Sequence, residues 1–240
     1  MKPCSAAALQ AIIMDCNMCL MELKDITFAY SENEPPVLEH LSFSLGKGRC
    51  LAVEGANGAG KTTLFRLLNG LSFPQAGTYF FDGVQIDQKY LKDQQKAKMF
   101  HKRIGYLFQN PDVMLFNGSV YDEIAFGPRQ MGLSERDVRE RTNNCLKLFH
   151  LEALADKAPY HLSGGQKKRA ALAAVMSLNP EVLILDEPFA SLDQKTIEQL
   201  ETFLLDLKAA GRTILLADHQ KTCIKKLADD VLTLPQRNEE

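Results

Sequence analysis

A chain of 240 residues with 45% hydrophobic and 24% charged side chains is long enough to bury a substantial core, as one large domain or two small ones. Its 28 basic and 30 acidic residues give a formal net charge of -2, which supplies no overall electrostatic attraction for DNA or RNA. No uninterrupted apolar stretch approaches the roughly 20 residues that a membrane-spanning helix requires, so any association with a membrane must come through another subunit.

Residues 1–20 are mildly apolar, and we interpret them as a poorly ordered N-terminal extension outside the folded domain of residues 21–240. Within this extension Cys16 and Cys19 form a CxxC pair, but no second Cys or His pair lies nearby to complete a metal site. The six cysteines lack the dense, even spacing of a disulfide scaffold, which favours a reducing compartment such as the cytosol.

Short apolar stretches separated by turns occupy the first half of the folded domain. One of them ends at Gly55 and is followed by an amphipathic pattern, which predicts a strand, a glycine turn and a helix over 62–70. Strands are predicted at 21–30, 41–45, 50–54, 77–83 and 103–108.

A helical insert is predicted over about 110–160, where Ser134 and Asp137, three positions apart, suggest a capping box. After this insert the chain returns to an alternation of helices and strands. The pattern predicts a helix after Ser163, strands at 182–186 and 213–218, a helix over 193–210 and a final short helix. Such alternation is typical of the α/β class with a mostly parallel sheet, which binds ligands at the carboxyl ends of its strands.

The sequence GANGAGKT matches the phosphate-loop pattern GxxxxGK followed by Ser or Thr, with a predicted strand before it and a helix after it. By composition, the pattern arises accidentally in roughly one chain in a hundred of this size. Backbone N–H groups of such a loop surround an anion at a helix N-terminus. We expect Lys61 to reach the β- and γ-phosphates, Thr62 to bind Mg²⁺ and Thr63 to touch the α-phosphate. The rest of the loop is Gly55, Ala56, Asn57, Gly58, Ala59 and Gly60.

The sequence VLILDEP predicts a buried strand that carries two acids, Asp186 and Glu187, at its carboxyl end. Beside a phosphate loop, we expect Asp186 to hold Mg²⁺ and Glu187 to orient and deprotonate the attacking water. The alternative is an ordinary solvated edge of a strand.

The sequence LSGGQ at 162–166, just ahead of the LDEP strand, resembles the signature of ABC-type ATPases, and the resemblance covers the chain from about Met21 to its end. It implies a P-loop NTPase (RecA-like) core, an antiparallel β subdomain and the helical insert. It also implies that two ATP molecules lie between two head-to-tail subunits, each bound by one subunit and touched by the signature of the other. The signature residues are Ser163, Gly164, Gly165 and Gln166. Alone, the motif would be a Ser-capped helix with a basic surface.

The same resemblance gives roles to four isolated residues. Tyr30 is similar to the aromatic residue that stacks on adenine, and Gln109 to the glutamine that contacts Mg²⁺ and the water. Asp193 lies in the segment similar to the D-loop and is also an ordinary helix N-cap. His219 is similar to the histidine that bonds the γ-phosphate, but it follows Asp218, where the family often has Thr or Ser.

Residues 108–128 resemble the ATPase subunits of energy-coupling factor importers, including the cobalt and nickel branch. The resemblance implies that the stretch from Gln109 to Phe116 receives a transmembrane coupling subunit, with Asp112 pairing an arginine on it. It therefore predicts an importer ATPase for a vitamin or transition-metal ion. We expect a homodimer or a heterodimer with a related ATPase, peripheral on the cytoplasmic face of the membrane, using ATP and Mg²⁺ and no nucleic acid. The alternatives are a soluble ABC-type ATPase acting on nucleic acid or ribosomes, and a kinase.

Overall fold

The N-terminal boundary of the fold lies slightly before the predicted one. The computed structural model describes residues 19–31 and 33–236, and its first strand begins at Cys19. Cys19 and Leu20 therefore belong to this strand and not to the predicted extension, and Leu20 is buried. The other residues of that extension, Cys16 included, lie outside the described residues.

Two groups of strands run through the described part of the chain. The strands are β1 (Cys19–Phe28), β2 (Leu38–Gly46), β3 (Cys50–Glu54), β4 (Ala76–Phe81), β5 (Val84–Gln85), β6 (Ile104–Leu107), β7 (Val182–Asp186), β8 (Thr213–Ala217) and β9 (Asp230–Thr233). Five of them form a parallel sheet in the order β6-β7-β8-β3-β9. The other four form an antiparallel sheet in the order β2-β1-β4-β5. The parallel core and the antiparallel subdomain are thus both confirmed.

The α-helices lie between these strands along the chain. They are α1 (Lys61–Leu68), α2 (Gln88–Lys92), α3 (Gln94–Arg103), α4 (Val120–Gln130), α5 (Glu135–Leu148), α6 (Gly164–Met176), α7 (Gln194–Ala209) and α8 (Lys221–Leu227). Short 3₁₀ turns lie at Pro111–Val113, Glu152–Leu154 and Pro159–His161.

Alternation along β7 shows how the core is divided. Side chains of successive strand residues point to opposite faces of a sheet. Accordingly, Val182 and Ile184 pack with α1 and the antiparallel sheet, whereas Leu183 and Leu185 pack with residues of the helices on the other face. A strand buried on both faces explains the continuous apolar sequence of β7.

The segment between β6 and β7 is helical, as the sequence predicted. Ser134 caps α5 by accepting a hydrogen bond from the Asp137 N–H, but the Asp137 carboxylate accepts from the Ser134 hydroxyl at 2.7 Å. The aspartate therefore bonds the capping side chain, in place of the reciprocal backbone bond of a capping box. Helix α6 packs so closely on β6 that a Cβ at Gly105 would lie 2.5 Å from Val175.

Four elements were not predicted from the sequence: the two-residue strand β5, helices α2 and α3, and strand β9. Helices α2 and α3 are preceded by the N-cap residues Asp87 and Asp93, whose side chains accept backbone N–H groups of the first turn. Both helices are polar; α3 buries Phe100, whereas the residues of α2 are half-buried or exposed. Strand β9 forms an edge of the parallel sheet beside β3, with half-exposed and exposed residues alternating.

Candidate functional site

The phosphate loop connects β3 to α1 at the carboxyl end of the parallel sheet. Gly58 and Gly60 adopt φ values of 79° and 98°, in the region that favours glycine. A Cβ at Gly60 would also come within 3.1 Å of Val37 and Leu38, so the loop passes close to the antiparallel subdomain. The Lys61 ammonium donates to the carbonyl oxygens of Gly55 at 2.7 Å and Ala56 at 3.0 Å. This places its positive charge directly over the loop.

The Thr62 hydroxyl and the Asp186 carboxylate form one polar corner of the site. Thr62 donates to Asp186 Oδ2 at 2.7 Å. Burial raises the pKa of the Asp186 carboxyl, and the hydrogen bond from Thr62 opposes this effect. A hydroxyl and a carboxylate are the hard oxygen ligands that Mg²⁺ prefers, and few protein ligands suffice when phosphates supply others. The corner therefore fits a magnesium ion that is held together with a nucleotide.

Glu187 occupies the tight turn that follows β7. Its φ of 50° is unusual for a residue other than glycine, and its N–H donates to the Ala217 carbonyl at 2.7 Å. The Glu187 carboxylate is mostly buried and lies 3.6 Å from Nε2 of the exposed His219. The structure thus brings together the two residues that were predicted to act on the water and the γ-phosphate.

One cavity of about 350 Å³ joins most of the predicted nucleotide residues. It lies between the phosphate loop, the end of β7 and the segment after β1. Its lining is Tyr30, Val37, Asn57, Gly58, Gly60, Lys61, Thr62, Thr63, Gln109, Asp186 and Glu187. Of these, Val37 was not predicted from the sequence. The shared cavity can hold a phosphate chain beside the acidic pair.

Tyr30 lies at the outer edge of this cavity, two residues after β1 ends. Its side chain is 58% exposed, its hydroxyl is 2.8 Å from the Thr63 hydroxyl, and its ring packs edge-on against Phe28. The exposed ring is therefore available for stacking, while the hydroxyl is anchored to α1.

Tyr30→Ala should weaken ATP binding by about tenfold, because stacking of a base on an aromatic ring contributes about 1–3 kcal/mol. Tyr30→Phe keeps the ring and removes only the bond to Thr63, so its affinity should stay near that of the wild type. Calorimetric titration of both variants with ATP measures the difference. Equal affinity of Tyr30→Ala and the wild type would rule out stacking at this residue.

The signature residues lie at the start of α6. Ser163 and Gln166 form a full capping box, with Gln166 Oε1 accepting from the Ser163 N–H at 2.9 Å and the Ser163 hydroxyl oxygen accepting from the Gln166 N–H. The hydroxyl proton of Ser163 is left for another acceptor, and no atom within 4 Å would meet a Cβ at Gly164. Among the described residues, those that line the nucleotide cavity do not include Ser163, Gly164, Gly165 or Gln166.

Asp193 is the N-cap of α7. Its carboxylate accepts from the Thr196 N–H at 2.8 Å, and this bond lowers the pKa of the carboxyl. The expected capping role is therefore observed, whereas the contact with nucleotide stays a prediction.

Lys168, which follows the signature residues in α6, was given no role by the sequence, and the structure places it in the interior. It is 5% exposed, and its ammonium donates to the carbonyl oxygens of Glu187 at 2.5 Å and Ala190 at 3.3 Å. The run Lys167, Lys168 and Arg169 gives no sequence signal that one of its side chains is buried, because burial depends on how α6 packs against the rest of the chain.

Gln109 separates the nucleotide cavity from a second cavity of about 470 Å³. The second cavity is lined by Thr62, Arg66, Leu71, Tyr106, Phe108, Gln109, Asn110 and Val113. Since Gln109 and Thr62 line both cavities, a protein segment that enters the second cavity would lie next to the phosphate loop.

The loop that contains Phe116 and Asn117 is held by a buried side chain of α4. The buried carboxylate of Glu123 accepts from the N–H groups of Phe116 at 3.0 Å and Asn117 at 2.6 Å. Phe116 itself is 68% exposed and packs edge-on against the exposed Phe126. Asp112, which was expected to pair with an arginine of another subunit, is exposed and forms an ion pair with Lys167 at 2.7 Å. The predicted contact surface from Gln109 to Phe116 is therefore partly apolar, and its acid, Asp112, is already in an ion pair within the chain.

Within residues 19–31 and 33–236, no cluster of three or more His, Cys, Asp or Glu side chains could hold a metal ion. In the same described part of the chain, no helix combines the length and the apolar character needed to cross a bilayer.

A parallel sheet, a phosphate loop that opens a helix, and an acidic pair at the end of the neighbouring strand define a P-loop nucleotide-binding protein. The family model described as ABC transporter matches residues 38–190. The chain belongs to the ABC transporter family, and it is an ATPase of that family.

Two relatives and one solved structure show how far the similarity extends. The nickel import ATP-binding protein LarO of Lactiplantibacillus plantarum is 47% identical over 82% of each chain. The energy-coupling factor transporter ATP-binding protein EcfA of Methanothermobacter thermautotrophicus is 38% identical over 90% of this chain and 68% of its own. The structure of CbiO1 from Clostridium perfringens, part of the ABC transporter complex CbiONQ, superposes with a TM-score of 0.78 and 34% identity, over 90% of this chain and 85% of its own.

Proposed function

We propose that this chain is the ATP-hydrolysing subunit of a membrane importer for a vitamin or a transition-metal ion of the cobalt or nickel type. The observation that carries the proposal is the similarity to LarO over 82% of both chains. The relationship to EcfA supports an energy-coupling factor importer, and that to CbiO1 supports a complex with several subunits. The transported metal or vitamin is cargo, and its recognition belongs to the membrane partners.

The proposed working unit is a head-to-tail dimer, of two copies or of one copy and a related ATPase. Each cavity holds a nucleotide against Lys61, Thr62 and Thr63, and Thr62, Gln109 and Asp186 would hold Mg²⁺. The signature of the second subunit closes the site, because in its own chain it lies outside the cavity lining. The Gly164 and Gly165 N–H groups and the Ser163 hydroxyl then contribute donors that a γ-phosphate can bridge.

In this arrangement Glu187 orients the attacking water and takes its proton, and His219 bonds the γ-phosphate. The 3.6 Å separation of the two side chains lets both act around one phosphorus atom. Bound Mg²⁺ supplies charge neutralisation for the phosphate oxygens. Hydrolysis removes the group that bridges the subunits, so the dimer separates, and ATP turnover becomes a mechanical stroke.

The proposed site for the membrane subunit is the surface from Gln109 to Phe116, on the cytoplasmic face of the membrane. The second cavity beside Gln109 would receive a helix of the membrane subunit. Asp112 supplies an acid that can pair with a basic residue of that helix. Since Asp112 already pairs with Lys167, docking exchanges one ion pair for another.

Purification of the tagged protein from detergent-solubilised membranes tests the importer. A polytopic membrane protein should accompany the chain. Recovery of ribosomes or DNA, with no membrane protein, would favour the soluble ABC-type ATPase instead. Hydrolysis of ATP without phosphate transfer to an acceptor excludes a kinase.

Two variants locate the docking surface. Asp112→Asn should reduce the yield of the membrane protein several-fold, because the partner's basic residue loses its carboxylate. Lys167→Met breaks the same internal ion pair but keeps Asp112, so its yield should equal or exceed that of the wild type. If both variants lose the partner equally, the ion pair and not the free acid is what matters.

A further inference from the structure

Lys168 makes an unusual connection between two functional segments. It belongs to α6, about one turn after the signature residues that begin this helix. Its ammonium contacts the backbone of the turn that carries Glu187, through the carbonyl oxygens of Glu187 and Ala190. A single buried side chain thus joins the signature helix to the turn of the proposed catalytic base.

The turn that Lys168 contacts is strained. Glu187 and Ser191 have φ values of 50° and 61°, each of which costs on the order of 1 kcal/mol outside glycine. Within the turn, the Ala190 N–H donates to the Glu187 carbonyl at 3.2 Å. Two bonds tie the turn to the segment at the end of β8: the Glu187 N–H donates to the Ala217 carbonyl, and the Phe189 N–H donates to Asp218 Oδ2 at 2.8 Å. Lys168 bonds the two carbonyl groups at the ends of the same segment.

Charge supports this arrangement. Burial lowers the pKa of Lys168, and the carboxylates of Asp218, Glu187 and Asp186 oppose this effect. A buried cation without such partners would be strongly unfavourable. Asp218, whose charge is opposite to that of Lys168, accepts a hydrogen bond from the same turn. Lys168 and Asp218 therefore form a clamp of opposite charges around residues 187–190.

We propose that Lys168 is a positioning residue that couples the signature helix to the Glu187 turn of the same chain. The inference rests on the dimer described above. In that dimer Glu187 serves the nucleotide of its own chain, whereas Ser163 serves the nucleotide of the other chain. Lys168 then links the two composite sites within each subunit, and a shift of α6 at one site displaces the glutamate at the other.

Steady-state kinetics gives the first test. Lys168→Met removes both bonds at similar volume, and it should lower kcat for ATP about ten- to a hundredfold, the size of effect expected from misplacing a reacting group. KM for ATP should change by less than about twofold, because Lys168 does not line the nucleotide cavity. Lys168→Gln keeps one donor and should restore part of the loss. Lys147→Met, at an exposed position of α5, is the matched control and should equal the wild type.

Thermal unfolding of each variant separates positioning from folding. If Lys168→Met is unfolded, the comparison of Lys168→Gln with the wild type decides the question in its place. A wild-type kcat in the folded Lys168 variants would overturn the proposal. A rise in KM as large as the fall in kcat would also overturn the proposal, because this result would show that the substitution weakens nucleotide binding.

Mixed dimers show which site Lys168 serves. When one chain carries Glu187→Gln, the remaining active site consists of the other chain's Glu187 and the signature of the Glu187→Gln chain. Lys168→Met on the chain with intact Glu187 should lower the rate of ADP formation in a single turnover about ten- to a hundredfold. The same substitution on the Glu187→Gln chain should change this rate by less than about twofold. The opposite pattern would mean that Lys168 supports the signature alone, and it would overturn the coupling. If the wild-type chain fails to dimerise with ATP, the proposed function fails first, and this result is distinct from both patterns.

Discussion

Glu187→Gln should bind ATP with wild-type affinity but hydrolyse it about a hundred- to ten-thousandfold more slowly, the contribution expected of a general base. The amide keeps the shape of the side chain and its position beside His219, but it cannot accept a proton from water. Because the bridging γ-phosphate persists, the variant should accumulate as a dimer. Steady-state ATPase assays and gel filtration with ATP measure the two effects.

The matched control for this experiment is Glu198→Gln, on the exposed face of α7. It makes the same chemical change away from the cavity and should hydrolyse ATP like the wild type. A Glu187→Gln protein that turns over normally as a monomer would contradict both the assignment of the base and the composite site.

Lys61→Ala should weaken the binding of ATP itself by on the order of a hundredfold or more. The ammonium is expected to donate to two phosphate groups, and a hydrogen bond to a charged group contributes about 1.5–3 kcal/mol. Its present acceptors, the Gly55 and Ala56 carbonyls, lie in the loop, so the charge is already at the place where phosphates would arrive. Titration with a fluorescent ATP analogue measures the loss.

Lys47→Ala is the control for this change, since Lys47 is exposed on the turn between β2 and β3. It should bind the nucleotide like the wild type. Together with Glu187→Gln, the two variants separate binding from chemistry: one should lose affinity, whereas the other should keep affinity and lose rate. Lys61→Ala with unchanged affinity would remove the ammonium from the phosphate site.

The sequence was sufficient to predict the elements whose local pattern is unambiguous. The strand before Gly55, the glycine loop and the helix after it follow each other as predicted, because a phosphate loop requires that order. The continuous apolar sequence of β7 also identified a central strand with Asp186 at its end. Both predictions rest on contacts between near neighbours in the chain.

Other features depend on packing between distant segments, which a single sequence does not show. Strand β9 is short and half-exposed, and it is a strand because β3 lies beside it. Helices α2 and α3 are largely polar, so no apolar periodicity indicated them, although Asp87 and Asp93 gave capping signals. Lys168 stands between residues of the same charge, and its burial depends on the turn of Glu187 that packs against α6.

The buried carboxylate of Glu123 affects how the chain behaves when it is not bound to the proposed membrane partner. By bonding two adjacent backbone N–H groups, it keeps Phe116 turned outward with Phe126 against it, and exposed Val113 lies nearby along the chain. Because this loop is held in place, its apolar side chains stay exposed to solvent when the proposed membrane partner is absent. Chains produced in excess of the proposed partner should therefore self-associate or bind detergent, and co-expression with that partner should keep them dispersed.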